Sequence, residues 1–297
     1  MRIIDKFKIL TYNVGFITKP IEEILRVGVL KGDIVWLKHR FKDRFFADPF
    51  LLDENEDFWF VVCEEFLFFE EKGKITLLKV RKMDFSLFER KVLIEETTHL
   101  SFPYCKFQSY EIYPESSESG SYWKYCIDRK SFTVISKNRV VGYPLIDCVH
   151  YLDNELWFYG SLPPSPNENL YSVSNGDGCS IKNIFEKNKN YSRAAGDFFS
   201  VNGIIYRPVQ DCANRYGQFI NIMKMNKIGS AGFEMEKVIS INSFLNPPFC
   251  QTFHTFNVYK NIIVVDGSYD FIRFPSKFFY KKAPMLFKRR LSNGTKR

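Results

Sequence analysis

Three carboxylates in aromatic, strand-like surroundings, Asp48, Glu115 and Asp211, are the residues best suited to acid–base chemistry. Asp48 stands in Phe46-Ala47-Asp48-Pro49-Phe50, where the proline fixes the backbone and withholds a donor, as a strand start requires. Taken alone, the same Asp-Pro pair serves equally as a turn. Glu65 and Glu115 end apolar runs, where a carboxylate is either solvated or aimed at a shared site. The densest stretch is Arg207–Gly217, which holds Arg207, Gln210, Asp211, Arg215 and Tyr216. Guanidinium forks there could grip carboxylate or phosphate, Gln and Asp could pair with sugar hydroxyls, and Tyr could stack on a sugar face. Glycoside chemistry needs two carboxyl groups across the scissile bond, ~5–5.5 Å apart for retention or ~6.5–9.5 Å for inversion. Asp48, Glu115 and Asp211 could supply such a pair. Arg193 and His254 would join Arg207 and Arg215 in a cationic lining, suited to a glycosyl phosphate or nucleotide-sugar. The alternatives are arginines that close ion pairs with the same acids, and a hydrogen-bonded structural His254.

Residues so scattered can meet only if the fold gathers them. An apolar strand, a short polar turn and a second aromatic-rich strand recur five times. The second strands are Phe58–Cys63, Glu111–Pro114, Leu156–Tyr159, Ile204–Pro208 and Ile262–Val265. Taking Trp59, Tyr113, Trp157, Tyr206 and Ile263 as equivalent, the steps are 54, 44, 49 and 57 residues. A period near ~50 with several strands per unit predicts an all-β fold, a five-bladed β-propeller whose strand ends converge on one axis. An aromatic content of 17% agrees, since aromatic residues favour strands. Asn202-Gly203 predicts a two-residue hairpin, and a second hairpin is expected over Lys72-Gly73-Lys74. Three parts are expected: an N-terminal segment, 1–40, with a strand over Phe7–Val14 and a short helix over Pro20–Val27; the propeller, 41–270; and a basic aromatic tail, 271–297.

The net charge is +8, yet nine basic residues and no acid follow Asp270, so the body is nearly neutral. That argues against a fold-wide nucleic-acid surface, and no nucleic-acid partner is expected. The tail interleaves Phe274, Phe278, Phe279 and Tyr280 with bases, a pattern that can lie on an anionic membrane surface or remain solvated. Seven cysteines without a CxxC and four scattered histidines give no zinc-ligand spacing, so free thiols and no metal site are expected. No nucleotide-binding glycine loop is present, and the cofactor stays unknown. No leader or apolar run of ~18 residues is visible, so the expected location is cytoplasmic, at the inner face of the membrane if the tail binds lipid.

Six motifs in order carry a resemblance over roughly residues 10–270. They are Phe46–Phe50 with Cys63–Phe66; Leu100–Tyr104 with Tyr113–Ser117; Arg193–Gly196; Tyr206–Cys212; Arg215–Gly217; and His254-Thr255. The chain resembles bacterial proteins similar to the N-terminal domain of plant glucosamine inositolphosphorylceramide transferases. That resemblance implies a five-bladed propeller distantly related to arabinanases and invertase-type glycoside hydrolases, and a link to surface-polysaccharide assembly. The family's third-blade Asp-Pro-Thr start is here Ile146-Asp147-Cys148-Val149, with Asp147 matching to within one residue. The expectation is an enzyme of glycan assembly that binds, and transfers, a sugar from a phosphorylated or lipid-linked donor. Catalytic roles fall to Asp48, Glu115 and Asp211, and substrate binding to Glu65, Arg193, Arg207, Gln210, Arg215, Tyr216 and His254. Glycoside hydrolysis by two of these acids, and glycan binding without turnover, are the alternatives.

Overall fold

The computed structural model describes residues 8–152, 155–174, 180–185, 187–229 and 232–272. Among the described residues, twenty strands form five four-stranded antiparallel sheets, arranged as the blades of a propeller. Blade one comprises Arg44–Glu54, Phe58–Leu67, Lys72–Arg81 and Leu87–Ile94; blade two Ser101–Tyr104, Glu111–Glu115, Tyr122–Ile127 and Val134–Val141. Blade three comprises Ile146–Leu152, Leu156–Ser161, Leu170–Ser174 and Ile181–Phe185; blade four Phe199–Val201, Ile204–Asp211, Phe219–Gly229 and Gly232–Ile241. All five second strands predicted from the repeat are second strands here.

Blade five is assembled from both ends of the chain. Phe256–Tyr259 and Ile262–Ile272 supply its inner half, and Lys8–Ile17 and Val35–Trp36 its outer half. Lys8 to Ile17 pair without interruption with Ile272 to Ile263, a ten-residue ladder that closes the ring. The N-terminal segment is therefore woven into the last blade, and its helix, Ile21–Val27, begins after Pro20 as its sequence predicts. The tail beyond residue 272, with the membrane contact expected of it, lies outside the described residues.

The core lies between blades, where apolar faces of adjacent sheets meet. Phe50 of blade one packs edge-on against Phe102 and Tyr104 of blade two, with ring centroids 5.1 and 5.8 Å away. Such buried aromatic pairs contribute about 0.5–1.5 kcal/mol beyond their area. Asn202 and Gly203 both have positive φ, 50° and 78°, in a tight turn between Val201 and Ile204. The Lys72–Lys74 hairpin differs from expectation: the turn comes earlier, at residues 68–71, and Gly73 pairs with Phe66 inside the ladder. Its glycine is needed for close approach, because a Cβ would lie 2.4 Å from the Leu100 carbonyl oxygen and 2.6 Å from Glu64 Oε1.

One irregularity repeats and shapes the site. The inner strands of blades one, two and three each break register at the same depth, between Ala47 and Phe50, Ser101 and Tyr104, and Ile146 and Val149. Asp48, Phe102 and Asp147 sit in these breaks with φ of 52°, 38° and 45°. A bulge with a positive φ re-aims a side chain that a regular strand would commit to an interblade face. Asp147 is thus the structural counterpart of Asp48.

Candidate functional site

Opposite each break, the second strand offers a polar residue. Glu64 pairs with Ala47, Glu115 with Ser101 and Ser161 with Ile146. Continuing the registers of Ala194 with Val209 and Phe256 with Val265 sets Gln210 opposite Arg193 and Asp266 opposite Thr255. Five blades therefore turn five polar side chains toward the face at which their inner strands begin.

Asp266, wholly buried, is the hub. Its Oδ1 accepts from His254 Nδ1 at 2.7 Å and from the backbone N–H groups of Thr255 and His254 at 3.0 and 3.3 Å. Its Oδ2 accepts the Asp48 backbone N–H at 2.9 Å. Burial works against a charged His254 ring, but Asp266 and Asp48 outweigh it and push its pKa up to about 9. Tyr12 stacks on the ring at 4.8 Å and Tyr216 meets it edge-on at 5.4 Å. His254 Nε2 lies 3.4 Å from Asp48 Oδ1, which also accepts the Thr255 hydroxyl at 3.0 Å. Burial pushes Asp48 up to about 6, with the neighbouring acids Asp266 and Asp147 adding to the shift and His254 opposing it.

Glycine is required beside this ring. Gly217 has a φ of 57°, and an added Cβ would lie 2.6 Å from His254 Cβ. Gly217→Ala should therefore lower stability by about 1–3 kcal/mol through strain and a displaced imidazole. A denaturation midpoint equal to that of the parent chain would refute the contact.

A second set of acids completes the cluster. Asp147 accepts from Arg193 Nε in a short ion pair and from Gln210 Nε2 at 2.8 Å. Arg193 also donates to Asn167 Oδ1 at 2.9 Å and lies over the Tyr216 ring at 4.6 Å. Glu115 is half-buried, receives the Ser117 hydroxyl at 3.3 Å and shares a hydrogen bond with Asp147. Burial, then Asp147, raise it to about 8. Glu64 is buried and held well above the usual carboxylate range by desolvation and by Asp48, Glu115, Asp266 and Asp147. Glu115 and Tyr216 keep part of their surface exposed, so the cluster reaches solvent on this face.

Asp48, Glu115, Arg193, Gln210, Tyr216 and His254 are thus brought together as the sequence suggests. Four other expected residues are not. Glu65 faces away from Asp48, fully buried, and accepts from Arg44, from Arg90 Nε at 2.7 Å and from the Thr76 hydroxyl at 2.5 Å. It is an ion-pair anchor, and its neighbour Glu64 takes the expected place. Asp211 caps its own loop, accepting the Ala213 N–H at 3.0 Å and Asn221 Nδ2 at 3.2 Å. The third carboxylate at the site is Asp147. Arg207 is fully buried in the core, donating to the carbonyls of Tyr191 and Ser192 at 2.7 and 2.9 Å, and burial lowers it to about 9. Arg215 is exposed. The expected cationic lining therefore shrinks to Arg193 and His254, both paired with acids, and carboxylates dominate.

Asp48, His254 and Asp266 also present ligand atoms within 4.8 Å of one another, a set that could hold a metal ion although no sequence spacing announces it. The donor chemistry fits poorly. Asp266 is saturated by N–H donors, and the charged His254 would have to lose its proton before ligating.

The match to known proteins decides the family. The model of the glucosamine inositolphosphorylceramide transferase 1 N-terminal domain matches residues 35–245. The chain belongs to that family. Its relatives include glucosamine inositolphosphorylceramide transferase 1 of Arabidopsis thaliana, 26% identical over 221 residues, covering 67% of this chain and 28% of that protein. The protein of the same name from Oryza sativa subsp. indica is 26% identical over 208 residues, covering 63% and 27%. The chain thus spans little more than a quarter of the length of these relatives. A Trichoderma reesei carbohydrate-active enzyme of family AA12 superposes with a TM-score of 0.38 and 11% identity over 77% of this chain and 99% of that one, too loosely to carry any argument. Within the glucosamine inositolphosphorylceramide transferase N-terminal family, then, this chain is a five-bladed propeller with an acid-rich cluster at one mouth.

Proposed function

We propose that this chain is a carbohydrate-active protein that binds a sugar at the acid-rich mouth and transfers it from a phosphorylated or lipid-linked donor. The observation that carries the reading is geometric: register breaks in blades one to three set Asp48, Glu115 and Asp147 at one mouth, where burial raises Asp48 to about 6 and Glu115 to about 8. At neutral pH Asp48 is largely ionised and Glu115 largely protonated, the division of labour between a general base and a general acid. Glu115 would protonate the leaving oxygen, and Asp48 would take the proton of the incoming hydroxyl. Asp147 would hold Glu115 in its protonated form, Arg193 and Gln210 would fix Asp147, and Tyr216 would offer a face to the sugar ring. The relatives bear the name of a glucosamine inositolphosphorylceramide transferase, which fits a sugar-handling role.

Hydrolysis is the second reading, favoured by the excess of carboxylates over cations at the mouth; it uses the same pair with water as acceptor. Both are tested by incubating the protein with nucleotide-sugars and with nitrophenyl glycosides. Asp48→Asn and Glu115→Gln should each lower turnover by roughly 10²–10⁴-fold while the fold persists. Full turnover in either variant would remove that residue from the mechanism. Sugar binding without turnover of any donor would leave a binding module.

A further inference from the structure

The acid-rich mouth is a poor seat for phosphate, yet a recess beside it has the opposite character. A cavity of about 330 Å³ lies at the junction of blades five and one, lined by Tyr12, His39, Phe41, Lys42, Arg44 and Tyr269 among others. Tyr12 is a shared wall, because it packs on the Phe45 ring and also stacks on the His254 ring of the cluster. The recess therefore adjoins the cluster directly.

Its charge comes from the connection into blade one. Lys38, Arg40, Lys42 and Arg44 fall within seven residues whose one acid is Asp43; Lys42 and Arg44 line this recess, while Lys38 and Arg40 line a separate cavity. Arg44 pairs with Asp43 and Glu65 and Arg90 with Glu65, so these two guanidinium groups are balanced by two carboxylates. Lys42 is exposed. Positive charge is left over at the rim of the recess. His39 adds a hydrogen-bonding group: burial lowers its pKa and holds it neutral, and its Nδ1 is buried with no hydrogen-bond partner. A buried polar atom left unpaired is costly, and a hydrogen bond from a bound ligand would recover that cost.

We infer that this recess is a phosphate-binding subsite, holding the phosphate of the donor between Lys42, Arg44 and His39 while the sugar reaches past Tyr12 toward Asp48 and Glu115. The inference rests on the sugar-binding reading above and supplies the anion contacts that Arg207 and Arg215 do not make. Its aromatic walls accept the apolar remainder of the donor, whether a nucleoside or a lipid.

Two arms distinguish those sources: calorimetric titration with uridine diphosphate, and co-sedimentation with phosphatidylcholine vesicles containing phosphatidic acid. Binding in either arm, weakened at least tenfold by Lys42→Glu and also weakened by His39→Phe, is the expected result. Binding of neither probe, or undiminished binding by Lys42→Glu, would overturn the subsite. Asp48→Asn keeps the two claims apart, since it should lose turnover without weakening the phosphate probe. If Lys42→Glu binds normally while Asp48→Asn loses turnover, the subsite falls and the sugar reading stands. If Lys42→Glu loses the probe while Asp48→Asn turns over fully, the reverse holds.

Discussion

Asp266→Ala should be the most damaging single substitution at the mouth, lowering stability by about 3–5 kcal/mol. The side chain accepts four N–H groups from three consecutive points of the site: His254, Thr255 and Asp48. Its removal leaves a buried imidazolium without its nearest counter-charge and three backbone donors without their acceptor. Domains of this size rest on a margin of about 5–15 kcal/mol, so the loss takes about a fifth or more of it. Asp266→Asn keeps an acceptor oxygen but not the charge and should fall between the two. Thermal and urea denaturation read the effect, and a midpoint unchanged in Asp266→Ala would mean that the hub is not holding the blade-five strands to blade one.

Alkaline pH should weaken the fold in the same place. For His254 the folded pKa of about 9 lies above the ordinary 6.5, so its stabilisation is complete below pH ~6.5 and disappears as pH rises through about 9. Asp48 and Glu115 shift in the same direction, to about 6 and about 8, so they too favour folding most at low pH and oppose it once both are ionised. The signs agree. Stability should decline from about pH 5 to pH 9, with roughly 3 kcal/mol of the loss attributable to His254 alone. Denaturation at pH 5.5, 7.5 and 9.5 measures it, and Asp266→Asn should flatten the slope. A midpoint that rises toward pH 9.5 would show that the imidazole is not protonated in the folded chain.

The sequence made the architecture legible and the site only partly so, for one physical reason. Blade spacing is set by turn residues and apolar runs, and those survive a register error of one. Side-chain direction does not, because alternate residues of a strand face opposite sides. Glu65 and Asp211 were each expected at the site, whereas their neighbours Glu64 and Gln210 occupy it, a slip of one position in each case. Arg207 shares the parity of Asp211 and goes into the core, while Asp211, at the strand end, turns to its own loop. Asp147 was legible only through the family resemblance, since Ile-Asp-Cys-Val carries no proline to mark the bulge. Asp266 had a signal that spacing could have used: a lone acid directly after the apolar run Ile262–Val265, at the depth of Glu64 and Glu115 in their own blades. His254 was legible through the His254-Thr255 pair of the family resemblance, beside the alternative of a hydrogen-bonded structural histidine.

The closing ladder of blade five also governs where further polypeptide can be attached. Lys8 stands directly across from Ile272, so the two departures from the ring are neighbours. Both lie at the ends of their strands remote from the Tyr259–Ile262 turn, on the rim that carries Asp48, Glu115 and His254. A segment that leaves the ring at Lys8 or Ile272 departs from the rim that carries the acid-rich cluster rather than from the far side of the disc.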